Sequence, residues 1–250
     1  MSAIEYIHKM QKLIQRLEDE CMPDIQKAAG YMADSIAAGR VVWYFGSGHS
    51  TLPTLDVMPR YGSYIGLQPI YDPNISWMNV MGPGGTPEVL WIEKQEGYVA
   101  NVLRYYNLDE RDTMILISHG GTNSAAIEAG MIAQEKGIKT VVLTSKANLD
   151  IVEPRHSSGK VLANVGDVVI DNVSPPEDSL IHPKDWTAPV AASSTVTVLS
   201  ISMMLVAETA HILAERGIEQ PTFVSPCAVD DPDHNLKVYD AYREFRHKIY

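Results

Sequence analysis

Short apolar segments alternate with longer helical patterns along this sequence, and this alternation restricts its fold more than any other feature. The apolar segments lie at residues 41–45, 64–70, 113–117, 139–143 and 168–170. Each has the length and composition of a buried strand. Strands that alternate with helices form a parallel, doubly wound sheet with helices on both faces. We therefore expect an α/β fold, in which ligands bind beyond the carboxyl ends of the strands.

The spacing of apolar residues predicts helices around these strands. Residues 3–19 carry Ile and Leu side chains at helical spacing, and Pro23 is expected to start a second helix that runs to about Ala38 and ends at Gly39. Further helices are predicted to begin at 52–58 and to cover 87–106, 124–136, 190–216 and 237–248. The segments 71–87, 174–189 and 217–236 are expected to be irregular.

Composition and charge exclude several classes of function. The 250 residues suit one α/β domain with extra helices. The formal net charge of −11 disfavours binding to nucleic acid or to an anionic membrane. An anionic small molecule would have to be held locally, by backbone N–H groups and a few hydroxyls.

The sequence also favours a cytoplasmic protein. Cys21 and Cys227 show no metal-binding spacing and fit a reducing compartment. The first residues lack the pattern of a signal peptide. The most apolar stretch, Val196 to Ala207, is too short and too rich in Ser and Thr to span a bilayer.

Two loops rich in glycine and hydroxyl residues follow two of the expected strands. The sequence Gly-Ser-Gly-His-Ser occupies residues 46–50, and Ser-His-Gly-Gly-Thr-Asn-Ser occupies residues 118–124. A loop of this kind that opens a helix offers free N–H groups at the positive end of the helix dipole. The first loop lacks the third glycine of a dinucleotide-binding motif and the Gly-Lys-Ser/Thr of a P-loop. The pair of loops therefore predicts a site for a small anion.

The order of these motifs resembles the sugar isomerase (SIS) domain family. The resemblance includes both loops, the helical segment before the first strand, and the strand that ends in Thr144-Ser145. It is strongest with an uncharacterised phosphosugar-binding branch, and extends over nearly the whole chain through residues 92–98, 169–172, 194–195 and 233–235.

The resemblance implies a three-layer sandwich with a central flavodoxin-like parallel sheet and extra N-terminal helices. It implies one SIS domain over residues 1–250, made of a helical segment (1–38), an α/β core (39–215) and a C-terminal loop and helix (216–250). It also implies a homodimer or homotetramer. The phosphate-binding positions that carry over are Ser47, Ser50, Ser118 and Thr122. The other expected ligand-binding positions are Gly46, Gly48, Gly121 and Asn123 in the same loops, and Ser145 after the third strand of the motif.

The chain departs from that branch at several positions. Gly120 stands where a serine is usual, and Thr122 stands where a basic residue is usual. The first helix carries Thr51, Leu55 and Asp56 where a histidine and acidic residues are usual. The anion pocket therefore lacks a hydroxyl and a cation, so a sulfonated or otherwise substituted sugar is an alternative to a sugar phosphate.

Aldose–ketose isomerisation needs a base for the C1–C2 proton and a donor for the sugar oxygens. We take Glu93 as the first candidate base because it lies in a segment that matches the family, and Glu128 as the second. His49, His119 and His234 are candidates for proton transfer to the oxygens. Each of these residues also has an ordinary alternative, as a surface glutamate, a turn histidine or part of an acidic turn.

Neither a metal nor a cofactor is expected. His182, His234 and nearby aspartates are the best metal-binding candidates, but no HxH or HExxH spacing occurs. Trp77, Trp91 and Trp186 are more typical of a core or an interface than of a sugar-stacking platform.

Three functions remain open from the sequence. We expect a cytoplasmic aldose–ketose isomerase that acts on a small anionic sugar through an enediol intermediate. The alternatives are a non-catalytic phosphosugar sensor, and a lyase or etherase that uses the same proton abstraction and then expels a β-substituent.

Overall fold

A five-stranded parallel sheet forms the centre of the computed structural model, which describes residues 2–250. Its strands are β1 (Val42–Gly46), β2 (Leu67–Pro69), β3 (Thr113–Ile117), β4 (Lys139–Thr144) and β5 (Val168–Asp171). Their spatial order is β2-β1-β3-β4-β5, and every neighbouring pair is parallel. The predicted α/β fold is therefore confirmed, with a strand inside or overlapping each of the five predicted segments.

Helices cover both faces of this sheet. They are α1 (Ser2–Ala37), α2 (Thr51–Asp56), α3 (Trp77–Val80), α4 (Gly85–Ile92), α5 (Tyr98–Leu103), α6 (Ser124–Glu135), α7 (Lys146–Leu149), α8 (Ser194–Glu215) and α9 (His234–Ile249). A two-stranded antiparallel hairpin, β6 (Ser179–Ile181) and β7 (Val190–Ala192), lies between β5 and α8.

The alternation of side chains along the strands builds two separate cores. Val42 and Tyr44 of β1 face a cluster that includes residues of α1 and α8, while Trp43 and Phe45 face a second cluster that includes residues of α5 and α6. Side chains of a strand point alternately to opposite faces, so one buried strand contributes to both cores. The result is the three-layer arrangement expected.

A buried ion pair lies at the amino end of the sheet. Asp112 is almost fully buried, and its carboxylate accepts hydrogen bonds from Arg40, from the Trp43 indole N–H and from the backbone N–H of Asp109. A buried charge is tolerated when all of its oxygens are hydrogen-bonded in this way. The pair joins the start of β1 to the turn before β3.

The prediction of two helices before β1 is wrong, because α1 continues through Pro23. Leu17, Cys21, Ile25 and Ala28 recur at helical spacing on both sides of the proline, and all are buried. Pro23 itself is exposed. The carbonyl that loses its helical partner therefore lies on the solvent side, and burial of the opposite face outweighs the local cost of the proline.

Other boundaries also differ from those predicted. The helix expected over 87–106 is divided into α4 and α5, with Gly97 at a left-handed φ of 81° in the turn between them. The segments predicted to be irregular contain α3 and β6. Helix α8 begins at Ser194 because β7 takes up the first residues of the helix predicted from 190.

Helix α8 alone among the described helices is long and apolar enough, by length and composition, to cross a membrane. The apolar stretch is therefore longer than the Val196 to Ala207 segment identified from the sequence. In the structure, α8 packs against α1 in the core, and Ile201 and Leu205 are fully buried.

Candidate functional site

A cavity of about 330 Å³ opens at the carboxyl ends of β1 and β3. It lies between the loops that follow these strands, the α4 helix, and the start of α8. The side chains and backbone that line it are those of Ser47, Gly48, His49, Ser50, Pro53, Val80, Thr86, Val89, Leu90, Glu93, Ile117, Ser118, His119, Gly120, Asn123, Asp178, Ala192, Ser194, Thr195 and Val198. Both predicted loops therefore meet at one cavity, as the position of ligands in doubly wound sheets requires.

The loop after β1 is a tight turn that glycine makes possible. A Cβ atom on Gly46 would stand 2.6 Å from the backbone oxygen of Ser50, so no other residue fits without a shift of the backbone. The backbone N–H of Gly48 donates to the carbonyl of Ile75 at 2.7 Å, and the Thr51 hydroxyl donates to the carbonyl of Gly48 at 2.7 Å. These bonds hold the loop rigid above β1.

The loop after β3 presents unpaired backbone donors. Within residues 2–250, no protein acceptor is found for the N–H groups of His119, Gly120 and Asn123, all of which line the cavity. Gly121 has a φ of 66°, and its own N–H donates to the hydroxyl of Ser118. Asn123 is the N-terminal cap position of α6, so these donors lie at the positive end of that helix.

The break between α4 and α5 positions Glu93. The residue caps the C-terminus of α4, and its backbone oxygen accepts the N–H of Ala125 in the first turn of α6. Its carboxylate is buried, with 3% of the residue exposed, and accepts a hydrogen bond from the Ser47 hydroxyl at 2.6 Å. Burial raises the pKa of Glu93 above its ordinary value, and the hydrogen bond from Ser47 opposes this shift in part.

The two loop histidines differ in their surroundings. His119 has both ring nitrogens engaged: Nε2 donates to the carbonyl of Pro176 at 3.2 Å, and the Asn172 amide donates to Nδ1 at 3.3 Å. These partners assign Nε2 as the donor and Nδ1 as the acceptor. His49 is exposed at the rim, where its ring meets Trp77 edge-on. His49 is therefore the better placed of the two to exchange a proton with a ligand.

Comparison with known families assigns the chain to one of them. The sequence model described as SIS domain matches residues 5–145, which is more than half of the chain. The protein belongs to the SIS domain family. A UPF0309 protein from Thermoanaerobacter pseudethanolicus is 30% identical over 245 residues, covering 96% of this chain and 97% of the relative. Another from Shouchella clausii is 32% identical over 252 residues, covering 99% and 98%.

Solved structures share the fold of this SIS domain. A phosphoheptose isomerase from Neisseria gonorrhoeae aligns with a TM-score of 0.54 at 14% identity, over 86% of this chain and 97% of that chain. The sugar isomerase domain of an RpiR transcription factor from Sphaerobacter thermophilus aligns with a TM-score of 0.52 at 16% identity, over 98% of both chains. At these identities the likeness concerns the fold alone.

Eight of the fourteen predicted site residues line the cavity of the SIS domain. Gly46, Gly121 and Thr122 belong to the two loops but do not line it. Ser145 is fully buried, donates to the carbonyl of Ser174 and caps α7, so its contacts are structural. His234 lies in another part of the fold, where Nε2 donates to the carbonyl of Thr222.

Glu128 also lies outside the cavity and holds the turn that carries Glu93. Its carboxylate accepts the backbone N–H of Gly97 at 2.6 Å. The buried ring of His156 lies behind it, with Nε2 3.8 Å from Glu128 and 3.9 Å from Glu96. The structure therefore gives Glu128 a positioning contact at the turn rather than a contact with the cavity.

The sequence reasoning did not select five polar or backbone groups that line the cavity: Thr86, Gly120, Asp178, Ser194 and Thr195. Ser194 and Thr195 had been noted only as part of the family resemblance. Asp178 reaches the cavity from an irregular segment, which leaves no local pattern by which to find it.

The charges around the cavity are unusual for an anion site. No lysine or arginine lines it in the part of the chain that the structure describes, and two carboxylates, Glu93 and Asp178, do. No group of three or more His, Cys, Asp or Glu side chains among residues 2–250 is arranged to hold a metal ion. Backbone N–H groups, hydroxyls and the histidine rings are therefore the donors available to an anionic ligand.

Proposed function

We propose that this SIS domain binds a small anionic sugar in the cavity and interconverts its aldose and ketose forms through an enediol. The observation that carries the proposal is the buried, Ser47-bonded carboxylate of Glu93, which shares one cavity with the unpaired donors of the loop at 118–124. The carboxylate of Glu93 suits a base, and the donors of the loop suit an anion.

The anionic group of the sugar would bind at the N-terminus of α6. The N–H groups of His119, Gly120 and Asn123 and the hydroxyl of Ser118 provide neutral donors there, and the helix dipole favours negative charge. Gly120 leaves this loop without a further hydroxyl. A sulfonate, which carries less charge than a phosphate, therefore remains a candidate beside a phosphate.

Glu93 would act as the base. A carboxylate with a raised pKa takes up a proton more readily than an ordinary one, and burial keeps it ordered near the sugar. It would remove the proton from C2 of the aldose and return it to C1. His49 would transfer a proton between the two sugar oxygens from the rim of the cavity.

A sensor without catalysis is the second candidate, because one neighbour in fold is the sugar isomerase domain of a transcription factor. A sensor needs the anion site but has no use for a buried base. The position of Glu93 favours the enzyme.

The test is a screen of the purified chain against aldose phosphates and 6-sulfonated sugars in deuterated water, followed by NMR. The isomerase predicts exchange of the C2 proton and formation of the ketose. Loss of a β-substituent would identify a lyase instead. Binding without exchange in any substrate would identify the sensor.

We further propose that residues 1–250 act as one SIS domain in a cytoplasmic homo-oligomer. Exposed Ile4, Ile7 and Ile14 on α1 support self-association, and the free thiols of Cys21 and Cys227 fit a reducing compartment. Light scattering after size exclusion measures the assembly, and a monomer at micromolar concentration would contradict it.

A further inference from the structure

Asp178 brings a carboxylate to the cavity from outside the two loops. It follows β5 in the chain, immediately before β6, and lies opposite the start of α8. Its Oδ1 accepts the backbone N–H groups of Ser193 and Ser194, at 3.1 and 2.6 Å, and its Oδ2 accepts the Ser194 hydroxyl at 2.8 Å. The carboxylate therefore stands where an anionic ligand would otherwise meet the N-terminus of α8.

The backbone is arranged to hold Asp178 in this position. Its φ is 57°, a left-handed conformation that an aspartate adopts at a cost. Its carbonyl accepts the N–H of Ser193, and its own N–H donates to Pro175. The hairpin that follows is fastened to α1, because the Tyr6 hydroxyl donates to the carbonyl of Ala192 and the Lys9 ammonium donates to that of Leu180.

The two carboxylate oxygens of Asp178 differ in the number of further hydrogen bonds that they can accept. Oδ1 has three donors, because the Ser193 hydroxyl also approaches it at 3.2 Å. Oδ2 has one, from Ser194. A carboxylate oxygen accepts about two hydrogen bonds, so Oδ2 can accept one more from a ligand in the cavity. A sugar hydroxyl can supply that bond, whereas a phosphate or sulfonate would meet a like charge.

We propose that Asp178 determines specificity by accepting a hydroxyl from the uncharged end of the sugar and rejecting a second anionic group there. The substrates are therefore sugars with a single anionic group, which binds at the α6 N-terminus. This inference rests on the proposed function for the anion site, but it does not require turnover.

Calorimetry with two probes tests the inference on the whole chain: a hexose 6-phosphate, and a hexose bisphosphate with phosphates at opposite ends. The wild type should bind the bisphosphate at least about tenfold more weakly, because like charges at close range in a partly buried site repel strongly. Equal or tighter binding of the bisphosphate by the wild type overturns the proposal without any variant.

Asp178→Asn removes the charge and keeps an oxygen that can accept the N–H groups of α8. It should tighten binding of the bisphosphate at least about fivefold and change that of the monophosphate by less than about threefold. Asp185→Asn is the matched control, because Asp185 lies in the same segment with a left-handed φ of 65° but is exposed and outside the cavity. It should leave both affinities unchanged.

The outcomes distinguish a failure of the role of Asp178 from a failure of the proposed anion site. If the monophosphate binds and the bisphosphate binds equally well, the role of Asp178 fails and the proposed anion site stands. If neither probe nor a 6-sulfonated hexose binds, the anion site fails, and the role of Asp178 fails with it. An Asp178→Asn variant that keeps the wild-type preference also contradicts the proposal.

Discussion

The substitution Glu93→Gln tests the proposed base most directly. Glutamine keeps the length of the side chain and an oxygen that can accept the 2.6 Å hydrogen bond from Ser47, but it cannot take up a proton. A base of this kind contributes about 10²- to 10⁴-fold to the rate. We therefore expect turnover to fall by at least about 100-fold, while binding of the sugar changes little.

The same substitution should also change the stability of the fold, by an amount that depends on pH. Because burial raises the folded-state pKa of Glu93 above its ordinary value of 4.5, the wild type loses stability as the pH rises through that pKa. A tenfold change in the proton affinity of a group corresponds to about 1.4 kcal/mol. The variant should match the wild type at pH 4, where the Glu93 carboxyl is protonated and neutral, and should be the more stable of the two at pH 8, where Glu93 is a buried charge.

Two measurements check these expectations. Urea unfolding at a series of pH values gives the difference in stability, and the rate of C2 proton exchange gives the difference in turnover. The wild-type rate should rise with pH, with a midpoint above 4.5. Glu88→Gln is the control, because Glu88 is an exposed carboxylate on the same helix, α4. Turnover of Glu93→Gln within tenfold of the wild type would refute the assignment.

Four further substitutions test the framework of the fold and of the site. In urea unfolding, Gly46→Ala should destabilise the fold by about 1–3 kcal/mol, because the new Cβ would stand 2.6 Å from the backbone oxygen of Ser50. Gly30→Ala is the control in helix α1, where a Cβ would meet no atom within 4 Å, and it should stabilise the fold by about 0.5–1 kcal/mol. Asp112→Ala should cost about 3–5 kcal/mol, because the buried Arg40 guanidinium loses both of its close hydrogen bonds to a carboxylate; a cost below 1 kcal/mol would contradict this. Glu128→Ala should speed hydrogen exchange of the Gly97 amide at least about tenfold, because that N–H loses a charged acceptor.

The sheet was predictable from the sequence because its strands are buried on both faces. Such strands are continuous apolar runs, and the segments around β1 and β3 contain little else. The helices were less predictable. Pro23 is a strong local signal for a helix boundary, but it lies on the exposed side of α1 while residues before and after it are buried against the core. Tertiary packing overrides the local signal in such a case.

The candidate site was predictable where its residues follow strands directly. Both loops lie at strand ends, where the topology alone brings them together. Glu93 was selected through the family resemblance, while the turn that buries it was predicted as part of a longer helix. Asp178 and Ser194 were missed as site residues because their contact joins two segments 16 residues apart through an irregular region, with no periodicity to reveal it.

Helix α6 links the two halves of the proposed reaction. Its N-terminus carries the unpaired donors for the anion, its Ala125 N–H binds the carbonyl of Glu93, and its Glu128 binds the N–H of Gly97 at the end of the same turn. The anion site and the base are therefore both fastened to one rigid element. The proposed function therefore predicts substrates in which the anionic group and the reacting carbon are separated by a similar length. An uninterrupted helix over 87–106 would lack this turn, so the break between α4 and α5 is what allows the Glu93 carbonyl and the Gly97 N–H to bind α6.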